Sequence, residues 1–155
     1  MVFSSTLFLL YFLPVFLLIY HIVPKSWKNY IILLASIIFY AWGAPKFLFV
    51  IAGAIILTFY LVKGLYEADS IKKKRIFTTL AIILNLGLLA YFKYANFFID
   101  SVNFLISSFG IKPMKWIEIA LPIGISFYTF HSITYIIDAY RNVHKPFKKL
   151  SEYAI

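Results

Sequence analysis

The chain is organised around the segment from Leu121 to Arg141, whose sequence is LPIGISFYTFHSITYIIDAYR. In a helix turning about 100° per residue, side chains spaced by four and three residues share one face. That spacing places one polar stripe on this helix: Gly124, Tyr128, His131, Tyr135, Asp138 and Asn142. The opposite side carries Phe130, Ile133, Ile136 and Ile137. Because polar groups are costly against lipid, we expect the polar stripe to face protein or water.

The rest of the chain is strongly apolar. Of its 155 residues, 63% are hydrophobic and 21% are aromatic, more than an ordinary soluble domain carries. The stretches 1–24, 29–45, 47–62, 76–92 and 119–137 lack Asp, Glu, Lys and Arg. A membrane-spanning helix needs about 20 mostly apolar residues, with a range of roughly 17–25, and these stretches approach or meet that length. They predict an all-α, polytopic transmembrane helical bundle with about five membrane segments.

The boundaries of these segments follow from the apolar stretches and their breaks. We expect membrane segments at Ser4–Val23, Tyr30–Trp42, Phe47–Leu65 and Ile76–Phe92, with the Leu121–Arg141 helix as the fifth. Pro14 lies at the centre of the first segment and predicts a kink. Polar residues interrupt Tyr94–Phe109, so we expect a separate helix in the outer membrane interface there.

The basic residues lie between the apolar stretches. The formal net charge is +9, but the lysines do not interleave with aromatic residues along one surface, so we expect no nucleic-acid partner. The run Lys72–Arg75 predicts a cytoplasmic loop by the positive-inside rule. Lys25 and Lys28 then lie on the cytoplasmic side too, the N-terminus lies outside, and a basic tail follows Arg141 in the cytoplasm.

Five residues of the last helix are candidates for lining a substrate tunnel: Tyr128, His131, Tyr135, Asp138 and Arg141. Ionisable residues inside a membrane are usually functional, so His131 is the first of them. Three roles stay open for it, namely a structural histidine bonded to neighbouring helices, a tunnel-lining residue and a general base; we favour the structural role. Asp138 and Arg141 are three residues apart, which favours a local ion pair over the rim of a cavity.

The tyrosine candidates and the wider motif search leave the chemistry open. Tyr128 and Tyr135 suit either hydrogen bonding into a cavity or contacts between helices. The chain has no phosphate-binding glycine loop, no HExxH, no GxSxG, no cysteine and no cluster with metal-ligand spacing, so no metal site is expected. The residues alone therefore indicate a helical membrane protein with a polar internal stripe.

Four stretches extend this interpretation: residues 1–24, the LLASIIFYAWGAPKF segment at 33–47, NLGLLAYFKYANFF at 85–98, and the Leu121–Arg141 segment. In this order they resemble the N-terminal part of the membrane-bound O-acyltransferase family, nearest to its bacterial alginate O-acetyltransferase branch. The resemblance covers essentially the whole chain. It implies a single membrane domain over 1–155 that forms the N-terminal portion of a larger acyltransferase.

The resemblance also implies an activity. Such a protein is a multi-pass enzyme of the cytoplasmic (inner) membrane, and its helices surround a tunnel. It transfers acetyl groups from a cytoplasmic donor, acetyl-CoA or another acyl donor, towards hydroxyls of an exported cell-surface polysaccharide or a partner periplasmic acetyltransferase. No bound cofactor is implied, and the partners are the bilayer, the donor and the acceptor.

In that family a histidine acts as general base near the centre of the tunnel. The resemblance places this histidine beyond Ile155, and His21, His131 and His144 do not match its position. We therefore expect no catalytic residue here and no activity from the chain by itself. An alternative from a different class is a non-catalytic membrane bundle that serves as a transporter subunit or an assembly partner.

Overall fold

The computed structural model describes residues 5–122, 124–143 and 145–155, and all regular structure in these residues is helical. A π-helical turn at Phe8–Phe12 precedes α1 (Leu13–Ile22), and a 3-10 turn at Lys25–Trp27 precedes α2. The remaining helices are α2 (Lys28–Gly43), α3 (Pro45–Glu67), α4 (Ile71–Ser108), α5 (Ile125–Tyr140) and α6 (Leu150–Tyr153). Two positions named above, Ser4 and His144, lie outside the described residues.

Pro14 disturbs the first helix locally. Proline has no backbone N–H, and its ring crowds the turn before it. In the structure that turn is widened. The backbone N–H of Leu13 donates to the carbonyl of Phe8, five residues back, and not to that of Leu9, which an α-helix would use. The helix continues beyond it to Ile22, so the proline is accommodated without ending the segment.

α4 corrects the predicted boundary near Lys93. We expected a crossing at Ile76–Phe92 and a separate interfacial helix at Tyr94–Phe109, but one helix of 38 residues covers both. No glycine or proline interrupts it near Lys93. The hydroxyls of Ser101, Ser107 and Ser108 donate to carbonyls of their own helix, so these polar residues fit within it. α4 is about 57 Å long, about twice the thickness of a hydrocarbon core.

The segment 111–122 has no regular structure, yet two asparagines attach it to α4. Asn96 donates from Nδ2 to the carbonyl of Ile119 at 2.8 Å and accepts the N–H of Ile119 at 2.9 Å. Asn103 does the same with Met114, at 3.1 and 2.8 Å. The two asparagines are seven residues apart and so share one helix face. Their amides satisfy backbone groups that a strand or helix would otherwise pair.

The best-packed part of the molecule lies between α3, α4 and α5. Its buried cluster comprises Val62, Leu65, Ala81, Ile136 and Ala139. Small residues let the helices approach closely, as is usual between membrane helices. At Gly64 the approach is so close that a Cβ atom would lie 2.8 Å from the ring of Phe77. By contrast, no residue of α1 or α2 is buried, and α1 packs only on α2 among the described helices.

Two helices in the described residues are long and apolar enough to cross a membrane, α3 and α4. This is fewer than the predicted five. The segment Phe8–Ile22 is apolar but shorter than a full crossing, and α2 and α5 have 16 residues each. Large apolar side chains are exposed on most helices, with Phe49 and Phe127 each 80% exposed. Such surfaces suit hydrocarbon better than water.

We predict that Asn96→Ala releases the segment 111–122 from α4. The substitution removes three hydrogen bonds, to both backbone groups of Ile119 and to the indole of Trp116. Trypsin cleavage after Lys115 should become at least several-fold faster, since a bond lost from a partly buried group destabilises by about 1–3 kcal/mol. Asn29→Ala, at an exposed asparagine, is the control. Equal cleavage rates in both variants would contradict the role of Asn96.

Candidate functional site

Gly124 directly precedes α5, and its φ of +82° places it in the left-handed region that favours glycine. The N–H of Ile125 then donates to the carbonyl of Pro122, at 3.3 Å. The residues of α5 that face the bundle are Ile125, Thr129, Ser132, Ile136 and Ala139. This buried stripe lies one residue, about 100°, from the predicted polar stripe. The helix is therefore rotated relative to the expectation from its sequence.

Because of this rotation, the five candidate residues differ in how far they are buried. Tyr128, Tyr135 and Asp138 are half-buried, whereas His131 and Arg141 are exposed. The His131 ring stacks parallel to that of Phe127, with centroids 6.3 Å apart. His131 is therefore not buried among the described residues, and its role in the protein stays a prediction. The expected ion pair between Asp138 and Arg141 is also not formed in the described part of the chain, where Lys63 and Glu67 form one at 3.9 Å.

A cluster of buried polar side chains lies where α3, α4 and α5 meet. Asn85 on α4 donates to the hydroxyl of Thr58 on α3 at 3.0 Å and to its own helix at the carbonyl of Ala81, at 2.9 Å. Both Asn85 and Thr58 are completely buried. On α5, the hydroxyl of Tyr128 lies beside Thr58 and Ser132 without forming a well-directed hydrogen bond to a described residue. The hydroxyl of Thr129 is also buried and likewise has no hydrogen-bond partner among the described residues.

The residues after α5 fold back onto the bundle, and the side of the membrane on which this tail lies stays a prediction. The chain turns back after Arg141, and the N–H of Phe147 donates to the hydroxyl of Tyr135 at 3.1 Å. Tyr153 on α6 then packs on the ring of Tyr135, with centroids 4.9 Å apart, and its hydroxyl donates to Ser132 at 3.4 Å. Burial among these groups raises the pKa of Tyr153, so its hydroxyl stays protonated as a donor.

The depth of α6 follows from its contacts. The Tyr153 ring also lies 6.2 Å from that of Phe59, which is near the middle of α3. Ser132 is near the middle of α5. The tail therefore lies alongside the middle of both helices and does not extend away from their ends.

The polar cluster offers hydroxyl and amide groups for hydrogen bonding. Among its members, Thr58, Asn85, Ser132 and Tyr153 were missed as candidates in the sequence. An asparagine within an apolar stretch was a usable signal for Asn85, because such groups bond neighbouring membrane helices. For Thr58 and Ser132 no comparable signal exists, since both residue types occur often in such helices. In the described part of the chain, no group of three potential metal-ligating residues lies close together.

Comparison with known proteins gives three informative relatives. The protein named probable alginate O-acetylase AlgI in Pseudomonas aeruginosa is 45% identical over 142 residues, 91% of this chain and 27% of the relative. The protein of that name in Azotobacter vinelandii is 42% identical over 155 residues, 99% of this chain and 31% of the relative. A peptidoglycan O-acetyltransferase of Helicobacter pylori is 32% identical over 146 residues, 91% of this chain and 27% of the relative.

These matches extend along nearly all of the chain, and the chain spans about a third or less of the length of these relatives. No family model and no solved structure matches it.

We predict that Thr58→Val and Asn85→Leu are coupled in a double-mutant cycle of unfolding. Each single change leaves a buried polar partner unsatisfied, whereas the double change removes both groups. A coupling free energy of about 0.6–1.7 kcal/mol is expected for a hydrogen bond between membrane helices. It is measured by detergent-induced unfolding in mixed micelles. Ser101→Ala, at an exposed hydroxyl of α4, should change stability by less than about 0.5 kcal/mol. A coupling of zero would show that the bond does not hold α3 to α4.

Proposed function

Because the chain belongs to the membrane-bound O-acyltransferase family, among the alginate O-acetylases, we propose that it forms the N-terminal part of an enzyme that O-acetylates a cell-surface polysaccharide. The observation that carries the proposal is the 42% identity to an alginate O-acetylase over 99% of the chain. The match to a peptidoglycan O-acetyltransferase supports the acceptor class, a polysaccharide hydroxyl. Acetyl-CoA or another cytoplasmic acyl donor supplies the acetyl group.

In this proposal the 155 residues provide a scaffold and part of a tunnel wall, while the general base belongs to the rest of the enzyme. The exposed side of α5 supports this division. An imidazole on a lipid-facing surface would leave its two ring nitrogens without partners, which is costly in hydrocarbon. His131 therefore faces further polypeptide or a water-filled passage. Tyr128 and Tyr135, on the inner side, help to position α5 against α3, α4 and the tail.

The proposed topology is a multi-pass bundle in the cytoplasmic membrane. α3 and α4 cross the bilayer, and the shorter apolar helices α1, α2 and α5 complete the five crossings. The N-terminus then lies outside, and the run Lys72–Arg75 lies in the cytoplasm, in agreement with the positive-inside rule. The second half of α4, with the attached segment 111–122, extends on the outer side because the helix is longer than the membrane is thick.

We predict that labelling of single cysteines separates the two sides of the membrane. The chain has no cysteine of its own, so Asp69→Cys and Lys112→Cys each add one reactive thiol at an exposed position. A membrane-impermeant maleimide should label Lys112→Cys in intact spheroplasts and should label Asp69→Cys only after permeabilisation. Labelling of Asp69→Cys from outside would refute the topology.

We predict that His131→Ala in the complete enzyme reduces acetyl transfer by less than about tenfold, because His131 contributes to the wall and not to proton transfer. Loss of a general base costs about 10²–10⁴-fold. The readout is acetate released from the exported polysaccharide by mild base, normalised to enzyme in the membrane. His131→Gln keeps a hydrogen-bonding group and should recover most of the loss, and Phe130→Leu, on the same exposed side, is the control. Complete loss of transfer in a folded His131→Gln enzyme would make His131 the base instead.

Deletion of the gene tests the activity as a whole. Base-labile acetate should disappear from the polysaccharide of the deletion strain and return with the complete gene. Unchanged acetylation after deletion would overturn the proposed function.

A further inference from the structure

A half-open apolar cavity of about 450 Å³ lies between α1, α2, the start of α3 and the first turn of α5. Five phenylalanine rings line it: Phe8, Phe12, Phe16, Phe39 and Phe127. Two of these, Phe8 and Phe12, are the ends of the π-helical turn, a rare geometry that often occurs at functional sites. The cavity lies outside the polar cluster, and only the residue Tyr128 belongs to both.

The volume is too large for an ordinary packing defect. Natural cores contain few voids larger than a water molecule, whereas ligand pockets have about 300–1,000 Å³. Water is a poor occupant, because cavities lined by apolar groups stay dry. The lack of any buried residue in α1 or α2 fits the same picture, since these helices border an open apolar space instead of packing on the core. The cavity therefore offers an apolar surface to a hydrocarbon ligand.

The apolar space continues beyond this cavity. A second cavity of about 400 Å³ lies between α2, α3 and α6, and Ser36, Tyr40 and Ile51 line both. The two cavities follow one another along α2. Two adjoining apolar cavities that are open between helices whose solvent is the bilayer suit one lipid hydrocarbon chain.

Charge at one end of the first cavity indicates the headgroup. Gly43 and Ala44, which line the cavity, directly precede α3, whose second residue is Lys46. Phe47 contacts Phe92 with ring centroids 5.7 Å apart, so Lys46 and Lys93 lie at the same end of the bundle. Both lysines are exposed, and neither forms an ion pair in the described part of the chain. The Lys93 ammonium group lies over the ring of Tyr94, 5.5 Å from its centroid, and neither lysine has a carboxylate partner among the described residues. Two such ammonium groups complement an anionic phosphate.

We propose that this cavity binds one acyl chain of an anionic phospholipid, with the lipid phosphate at Lys46 and Lys93. The bound chain fills the gap between the α1–α2 hairpin and the core formed by α3, α4 and α5. The site goes beyond acetyl transfer and does not depend on it, because the lipid is a resident ligand and not a substrate.

The test uses native mass spectrometry of the 155-residue chain, with phosphatidylglycerol or phosphatidylcholine of identical acyl chains added in mild detergent. The wild type should retain one phosphatidylglycerol molecule and bind phosphatidylcholine about tenfold more weakly, a difference of about 1.4 kcal/mol. Ala35→Phe inserts a ring into the cavity and should reduce retention of both lipids at least tenfold. Ala90→Phe makes the same change at an exposed position of α4 and should have no effect.

A second variant keeps the proposal falsifiable if Ala35→Phe disturbs folding. Lys46→Gln alters only an exposed side chain and should remove most of the preference for phosphatidylglycerol while leaving chain binding intact. Circular dichroism verifies that each variant is folded. Retention unaffected by a folded Ala35→Phe, equal affinity of the wild type for both lipids, or no lipid retained by the wild type would each overturn the proposal. Acetyl transfer by the complete enzyme is measured separately, so failure here leaves the proposed function unaffected.

Discussion

The hydrogen bond between Asn85 and Thr58 joins the two longest helices at their point of deepest burial. In an apolar environment, a buried amide must find its partner within the protein, so this bond permits few rotations of α4 relative to α3. The close contact between Gly64 and Phe77 brings the two backbones together nearer the loop that joins α3 to α4. With α3 and α4 held in this way, their shared surface becomes the platform on which α5 packs.

The position of α5 depends on side-chain contacts of the residues before and after it. Before α5, Asn96 and Asn103 attach the irregular segment 111–122 to the second half of α4, and this attachment determines where the chain re-enters the bundle. After α5, the chain folds back so that Tyr153 lies against Tyr135 and Ser132. α5 is therefore held by side-chain hydrogen bonds and ring contacts, in addition to apolar packing.

The two sides of α5 differ in what they offer the rest of the protein. Its inner side contributes Thr129 and Ser132 to a polar cluster that stabilises contacts between helices. Its outer side presents His131 and Phe127, which the described helices do not cover. α5 therefore packs on the bundle with one side and leaves the other side exposed in the described part of the chain.

Several features could be predicted from the sequence for local physical reasons. Apolar stretches between basic residues indicated helices at the positions of α1, α2, α3 and α5, and Pro14 indicated a disturbance in the first of them. The continuity of α4 was missed, because polar residues near Asn96 and Asp100 resemble a break unless the hydroxyls and amides are known to bond their own helix or a neighbouring segment.

The sequence by itself determined that the chain is helical, how its apolar segments are spaced, and which family it resembles, since these depend on composition and local pattern. The tertiary structure alone decided which side of α5 faces inward. A helix with polar residues on several sides has more than one rotation of similar local energy. Contacts with Val62, Leu65 and Ala81, which are distant in sequence, selected the rotation that buries Ser132 and exposes His131.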